Sequence, residues 1–127
     1  MDSSALVKLL AAELESSTLR QGCRGRQLVA SSLVLVEVPR AARRLAPESF
    51  WASAWDRLMG QIRLVDLDRS LLIRAGRLPP SGLRSLDAIH LATALAIPGL
   101  DAFVGYDDRL QSAATAVGLL ALSPGVP

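Results

Sequence analysis

Four acidic residues stand out by their type and their setting: Asp2, Glu37, Asp87 and Asp107. Glu37 and Asp87 are the most informative, because each has an apolar neighbour on both sides in the chain. A carboxylate that is buried among apolar residues without a partner is very costly. We therefore expect these two side chains to share a partner.

The identity of that partner follows from the size of the charge repulsion. Two carboxylates about 4 Å apart repel by about 4 kcal/mol at an effective dielectric constant near 20. Lysine cannot neutralise four of them, because Lys8 is the only lysine in the chain. Either some carboxyl groups stay protonated or a divalent cation lies among them, and an all-oxygen site suits Mg²⁺ or Mn²⁺. Such an ion can activate water and stabilise charge on a phosphodiester.

Each acid also has an ordinary structural explanation that the sequence leaves open. Asp2 could cap a helix, and Asp87 could interact with the dipole at the start of its helix. Glu37 could form an ion pair on the helix surface with Arg40 or Arg44.

The same alternative applies to Asp107 and Asp108, which could be caps between a strand and a helix. We expect His90, one turn after Asp87, to be a hydrogen-bonded and half-buried residue rather than a base. Cys23 has no partner and no assigned role.

Strand and helix patterns alternate along the chain and must position these acids. The predicted strands cover 27–30, 62–67, 102–106 and 119–122. The predicted helices cover 3–14, a segment capped by Ser31 or Ser32 that carries Glu37, then 48–59, 69–78, 85–97 and a segment from 107 to 117. Pro39 requires the second helix either to start late or to kink, and Gly22 and Gly25 indicate a loop. This order predicts an α/β fold with three layers and a mostly parallel sheet, whose functional crevice lies beyond the carboxyl ends of the strands.

Composition narrows the class of protein further. The 127 residues suit a single domain over 1–127, and an aromatic content of 4% argues against recognition of nucleic acid mainly by base stacking. One cysteine and one histidine exclude an intramolecular disulfide and a Cys/His zinc site. Arginine dominates the 14 basic residues and suits phosphate as well as surface ion pairs. We see no signal peptide or membrane span, and expect a cytoplasmic protein.

Four segments together resemble the motifs of PIN-domain ribonucleases, and more narrowly those of VapC toxins from bacterial type II toxin-antitoxin modules. They are DSSALVK at 2–8, SLVLVEVPRA at 32–41, LDAIHLATA at 86–94 and FVGYDDRL at 103–110. The resemblance implies a five-stranded parallel sheet flanked by helices, bound Mg²⁺ or Mn²⁺, endonucleolytic cleavage of RNA, a VapB-like antitoxin and a homodimer within the toxin-antitoxin complex.

The family's functional residues transfer onto matching positions of this chain. Its acidic quartet, which would bind the metal and carry catalysis, matches Asp2, Glu37, Asp87 and Asp107. Its small hydroxyl near the metal matches Ser4, and Asp108 is an auxiliary candidate.

The resemblance fails at the start of the chain. The family's first strand precedes its first aspartate, whereas only Met1 precedes Asp2 here. A start site assigned too late or a trimmed chain would explain this apparent truncation. We expect nothing to hold the backbone of Asp2 in a strand, and therefore weak metal binding by this residue.

Two other functions are compatible with an acidic pocket in a fold of this size. One is a phosphoryl-accepting receiver domain, although the lysine that such a site needs after its last strands is missing. The other is a PIN-like antitoxin-binding module with weak or no catalysis. Metal-dependent RNA cleavage would separate both from a ribonuclease.

Overall fold

The computed structural model describes residues 1–11 and 13–127. Helices and short strands alternate along these residues, with a turn of 3-10 helix at Glu48–Phe50 before α4. The elements are α1 Ser3–Leu10, α2 Ser16–Cys23, β1 Leu28–Ser31, α3 Val34–Leu45, α4 Ala52–Met59, β2 Ile62–Val65, α5 Arg69–Ala75, α6 Ser85–Leu95, β3 Phe103–Val104, α7 Asp108–Ala116 and β4 Ala121–Leu122.

Helix α2 is the element that the sequence does not predict. Gly25 lies in a turn with φ of 70°, as the loop prediction requires, but Gly22 lies inside the helix. The helix predicted over 3–14 also ends earlier, at Leu10, because Ala11 has an extended backbone conformation. Position 12 of that prediction lies outside the described residues.

The strands form two parallel pairs. β1 pairs with β2 in a register that runs from Leu28 opposite Ile62 to Ser31 opposite Val65, and β3 pairs with β4. Parallel pairing confirms the predicted α/β class, but the described residues form two two-stranded sheets instead of one five-stranded sheet.

Met1 and Asp2 lie between the two sheets. The Met1 ammonium group donates a hydrogen bond of 2.8 Å to the Val29 carbonyl of β1. The Asp2 amide donates one of 3.0 Å to the Val104 carbonyl of β3. These two bonds, one to each sheet, connect the start of α1 to both strand pairs.

The β1–β2 sheet has helices on both faces. Leu28, Ala30, Ile62 and Leu64 point to one face and pack in a core with residues of α1, α3 and α4. Val65 points to the other face and packs with α5 and α6. The alternation of side chains along a strand thus produces the three layers predicted for this part of the fold.

The second sheet has its own core, in which α6 and α7 pack on Phe103. Helix α6 contributes to the cores on both sheets, which explains why its sequence is apolar on adjacent faces. Among the described residues, no helix is both long and apolar enough to cross a membrane.

Candidate active site

Asp2 is firmly held, although only one residue precedes it. Its side chain caps α1, with Oδ1 accepting hydrogen bonds from the Ala5 amide at 3.0 Å and the Ser4 hydroxyl at 2.7 Å. The residue is 4% exposed. Asp2 is not part of a strand, but the expectation that its backbone is unrestrained is wrong, because the bond to Val104 and the helix cap hold it; weak metal binding by Asp2 stays a prediction.

Burial also changes the protonation of Asp2. Loss of hydration raises the pKa of its carboxyl group, and this effect exceeds the opposite influence of the hydrogen bonds from Ser4 and Ala5. A nearby positive charge would therefore stabilise the ionised form. The helix-capping explanation of Asp2 is confirmed, but a cap leaves Oδ2 available for another partner.

Gly105 gives the Asp2 carboxylate its space. A Cβ atom at position 105 would lie 2.7 Å from Asp2 Oδ2 and 2.9 Å from Asp2 Cγ. Gly105 directly follows β3, and the next residue, Tyr106, donates its amide to Ser4 Oγ at 2.9 Å. The Ser4 hydroxyl therefore links the segment after β3 to Asp2, and both of its hydrogen bonds are made within the protein.

Glu37 lies in the first turn of α3, which begins at Val34. Its Oε1 accepts a hydrogen bond of 2.7 Å from the Ser3 hydroxyl and lies 2.6 Å from His90 Nε2. Burial alone would raise the pKa of Glu37, but the bonds to His90 and Ser3 outweigh it and lower the pKa. Glu37 is therefore ionised at neutral pH, and its side-chain partner is His90 rather than Arg40 or Arg44.

His90 is more buried than expected, at 4% exposure. The Nδ1 atom of its ring is buried without a hydrogen-bond partner among the described residues. The ring is fixed through Nε2 alone, which also lies 3.3 Å from Ser3 Oγ. The prediction of a hydrogen-bonded histidine is confirmed, and the contact with Glu37 shows that His90 helps to orient that carboxylate.

Asp87 and Asp107 share one cation, the guanidinium group of Arg84. Arg84 Nε donates to Asp87 Oδ2 at 2.9 Å, and Arg84 Nη2 donates to Asp107 Oδ2 at 3.1 Å. Asp87 lies in the first turn of α6, whereas Asp107 caps α7 through its other oxygen, which accepts from the Leu110 amide. Asp87 is thus at the start of its helix and Asp107 is a helix cap, as their ordinary structural explanations require. Both residues also form an ion pair with Arg84.

The four acids therefore form a connected region and not a closed cage. Arg84 joins Asp87 to Asp107 and also interacts electrostatically with Glu37. His90 lies one turn after Asp87 and joins α6 to Glu37. Within residues 1–11 and 13–127, no three His, Cys, Asp or Glu side chains converge closely enough to hold a metal ion.

The remaining candidates lie outside these contacts. Asp108 is exposed at the start of α7, and none of the hydrogen bonds or ion pairs described for the chain involves its side chain. Cys23 ends α2, far in sequence from the acids, as a free and partly buried thiol.

Sequence analysis missed Ser3, Arg84 and Gly105. Arg84 was detectable, because an arginine three residues before an aspartate at a helix start can pair with it, but its reach to Asp107 depends on tertiary packing. The role of Gly105 depends on a side chain from the opposite end of the chain, which no local pattern reveals.

Comparison with known proteins identifies the family of the chain. The PIN domain family model matches residues 1–116. Among relatives in Mycobacterium tuberculosis, the chain is 37% identical to the ribonuclease VapC35 over 131 aligned positions, covering 98% of this chain and 96% of the relative. It is 40% identical to the ribonuclease VapC46 over 127 positions, covering 98% and 95%.

One solved structure shares the fold. The crystal structure of Mycobacterium tuberculosis VapC20, described as a toxin that cleaves the sarcin-ricin loop, superposes with a TM-score of 0.70. The match covers 97% of both chains at 20% sequence identity. This likeness supports the arrangement of elements, and the family match decides against a receiver domain.

Proposed function

The chain belongs to the PIN-domain family as a homologue of VapC ribonuclease toxins, and from this membership we propose that Asp2, Glu37, Asp87 and Asp107 form a Mg²⁺- or Mn²⁺-dependent site that hydrolyses RNA. The observation that carries the proposal is the single guanidinium group between Asp87 and Asp107. Two carboxylates at the starts of different helices already share one cation, and both would be available to hold a divalent ion there.

The donor atoms fit a hard divalent cation. Asp2 Oδ2, the Glu37 carboxylate and the oxygens of Asp87 and Asp107 are all oxygen ligands, which Mg²⁺ and Mn²⁺ prefer. Asp87 and Asp107 are the residues that would hold the ion most directly. Asp2 would contribute the oxygen that faces Gly105, since its other oxygen is used by the helix cap.

The protein's own residues prepare the site in two ways. Ser4 and the Ala5 amide hold Asp2 in one orientation, and His90 and Ser3 hold Glu37 ionised. A bound divalent ion supplies activation of water and stabilisation of negative charge on the scissile phosphate. Glu37 is held as a carboxylate at neutral pH, which suits it to bind a cation, whereas its lowered pKa makes it a weak proton acceptor.

We propose single-stranded or loop RNA as the substrate. Asp107 follows β3, Glu37 lies on the helix that follows β1, and the exposed residues Arg84 and Arg109 are near Asp87 and Asp107 in the chain. Arginine recognises phosphate with a planar set of donors. The relative VapC20 is described as cleaving an RNA loop, which favours a loop over a regular duplex for this chain.

The decisive experiment measures cleavage of labelled RNA loops with Mg²⁺ or Mn²⁺ and after chelation. Asp107→Asn should abolish turnover, whereas Asp108→Asn, which changes the same charge at the adjacent position, should reduce it less than tenfold. Cleavage that continues unchanged in EDTA would reject the metal mechanism. Loss of activity in both variants would remove the distinction between Asp107 and its neighbour.

We propose a VapB-like antitoxin as the protein partner. Leu35 and Val36, next to Glu37 on α3, are 49% and 58% exposed. An antitoxin that covers this apolar surface could place an arginine against the acids, because a cation satisfies carboxylates there. Copurification with the product of a neighbouring gene, followed by measurement of complex mass, tests both the partner and the proposed homodimer.

The cytoplasm, which contains RNA and newly made antitoxin, is the proposed location.

A further inference from the structure

Arg84 is placed differently from the acids that it contacts. It is the residue immediately before α6, and its side chain is 63% exposed, against 15% for Asp87 and 34% for Asp107. Its two contacts use different nitrogens of the same planar group. The guanidinium therefore lies between two carboxylates while most of the side chain remains in water.

A divalent ion that bridges Asp87 and Asp107 needs the space that this guanidinium occupies. Both ion pairs use the Oδ2 atoms of the two aspartates, and the two cations cannot occupy the gap together. Ion pairs at exposed positions are weak because water screens them. A divalent ion carries twice the charge of arginine, so it attracts the two carboxylates more strongly.

We propose, on the basis of the function proposed above, that Arg84 is an exchangeable counter-ion. In the metal-free protein it neutralises Asp87 and Asp107 and holds them on either side of one guanidinium group. When a divalent ion binds, the guanidinium leaves the gap and remains tethered at the edge of the site. Arg84 is thus a positioning residue that opposes metal binding and preserves the geometry of its ligands until the metal arrives.

Removal of the charge at position 84 should have opposite effects on the two states. Arg84→Gln leaves two carboxylates facing each other without a cation, so the metal-free protein should melt at a lower temperature. The same variant should bind Mn²⁺ roughly three- to tenfold more tightly, because one or two exposed ion pairs no longer compete with the ion. The rise in melting temperature on addition of Mn²⁺ should grow accordingly.

The test uses Mn²⁺ titrated calorimetrically into the RNA-free protein. Arg109→Gln is the matched control, because it removes the same charge two residues after Asp107, and no ion pair described for the chain involves Arg109. Its Mn²⁺ affinity should stay within twofold of the original protein. In a parallel NMR titration with diamagnetic Mg²⁺, the Arg84 Nε–H signal should shift as its bond to Asp87 is lost.

The outcomes separate this inference from the proposed function. If the original protein binds Mn²⁺ and cleaves RNA, but Arg84→Gln binds Mn²⁺ equally or more weakly, the exchange is refuted and the ribonuclease mechanism stands. An unchanged Arg84 signal at saturating Mg²⁺ also refutes the exchange. If no form of the protein binds a divalent ion and cleavage survives chelation, the proposed metal mechanism fails, and the exchange fails with it.

Discussion

Gly105→Ala tests how closely the Asp2 carboxylate depends on the end of β3. The added Cβ would approach Asp2 Oδ2 to 2.7 Å and Asp2 Oδ1 to 3.1 Å, well inside normal contact. Position 105 has no positive φ, so alanine causes no backbone strain there. The whole effect of the substitution therefore comes from the collision with Asp2.

The cost can be worked from what restrains Asp2. Its carboxylate cannot turn away freely, because Oδ1 is bonded to Ser4 and Ala5 and the residue is almost fully buried. Overpacking of this kind costs about 1–3 kcal/mol, and loss of a helix cap adds about 1 kcal/mol. At roughly 4 °C per kcal/mol for a domain of this size, the melting temperature should fall by roughly 8–16 °C.

A double-mutant cycle isolates the collision. In an Asp2→Ala background the atoms that the new methyl group meets are gone, so Gly105→Ala should cost less than about 0.5 kcal/mol. Gly22→Ala is the control, because nothing lies within 4 Å of its Cβ position and it is inside α2. It should stabilise the protein by up to about 1 kcal/mol. Equal costs of Gly105→Ala in both backgrounds, measured by thermal unfolding, would refute the reasoning.

The remaining predictions concern the acids themselves. Because burial raises the pKa of Asp2, its charge destabilises the fold as pH rises above about 4; Asp2→Asn should raise the melting temperature at pH 7 but not at pH 3, while abolishing RNA cleavage. The pKa of Glu37 is lowered, so its ionised carboxylate stabilises the fold above about pH 4.5, and this contribution is lost below that pH. Glu37→Gln should therefore lower the melting temperature at pH 7 only. Asp87→Asn should abolish cleavage and weaken Mn²⁺ binding in calorimetry, with a loss of stability of at most about 1 kcal/mol because its ion pair with Arg84 is exposed to water.

The sequence predicted the parts of this protein that depend on local pattern. The clearest helix, α6, was expected over 85–97 and runs from Ser85 to Leu95. The four strands lie within or near their predicted ranges, because β-branched and apolar runs between turn residues identify them locally. The motif resemblance is confirmed by the PIN family match and by relatives over nearly the whole chain.

Tertiary contacts account for what the sequence did not predict. Pro39 suggested a helix that starts late or kinks, and α3 in fact begins at Val34, with Ser31 Oγ accepting from the Leu33 amide just before it. The sequence did not predict α2 because it contains Gly22, and glycine is a weak helix former. In the folded chain α2 forms despite this local preference. The roles of the four acids in catalysis and metal binding stay predictions.

The electrostatic argument from the sequence counted only lysine as a counter-charge. With Lys8 as the only lysine, it left protonation or a divalent cation as the two ways to relieve the repulsion among four carboxylates. In the folded chain, arginine, histidine and hydrogen-bond donors also contact these carboxylates. Asp2 is buried with a raised pKa and a helix cap, Glu37 is bonded to His90 and Ser3, and Asp87 and Asp107 share Arg84.

This division has a functional consequence. A cluster held together only by a metal would repel itself when empty, and its ligands would spread before each binding event. Because each of these carboxylates is bonded to groups of the protein itself, we expect the site to keep its ligands near their positions without the ion. The protein then gives up only weak, exposed ion pairs when the metal binds, and the most exposed partner, Arg84, is the one that must move.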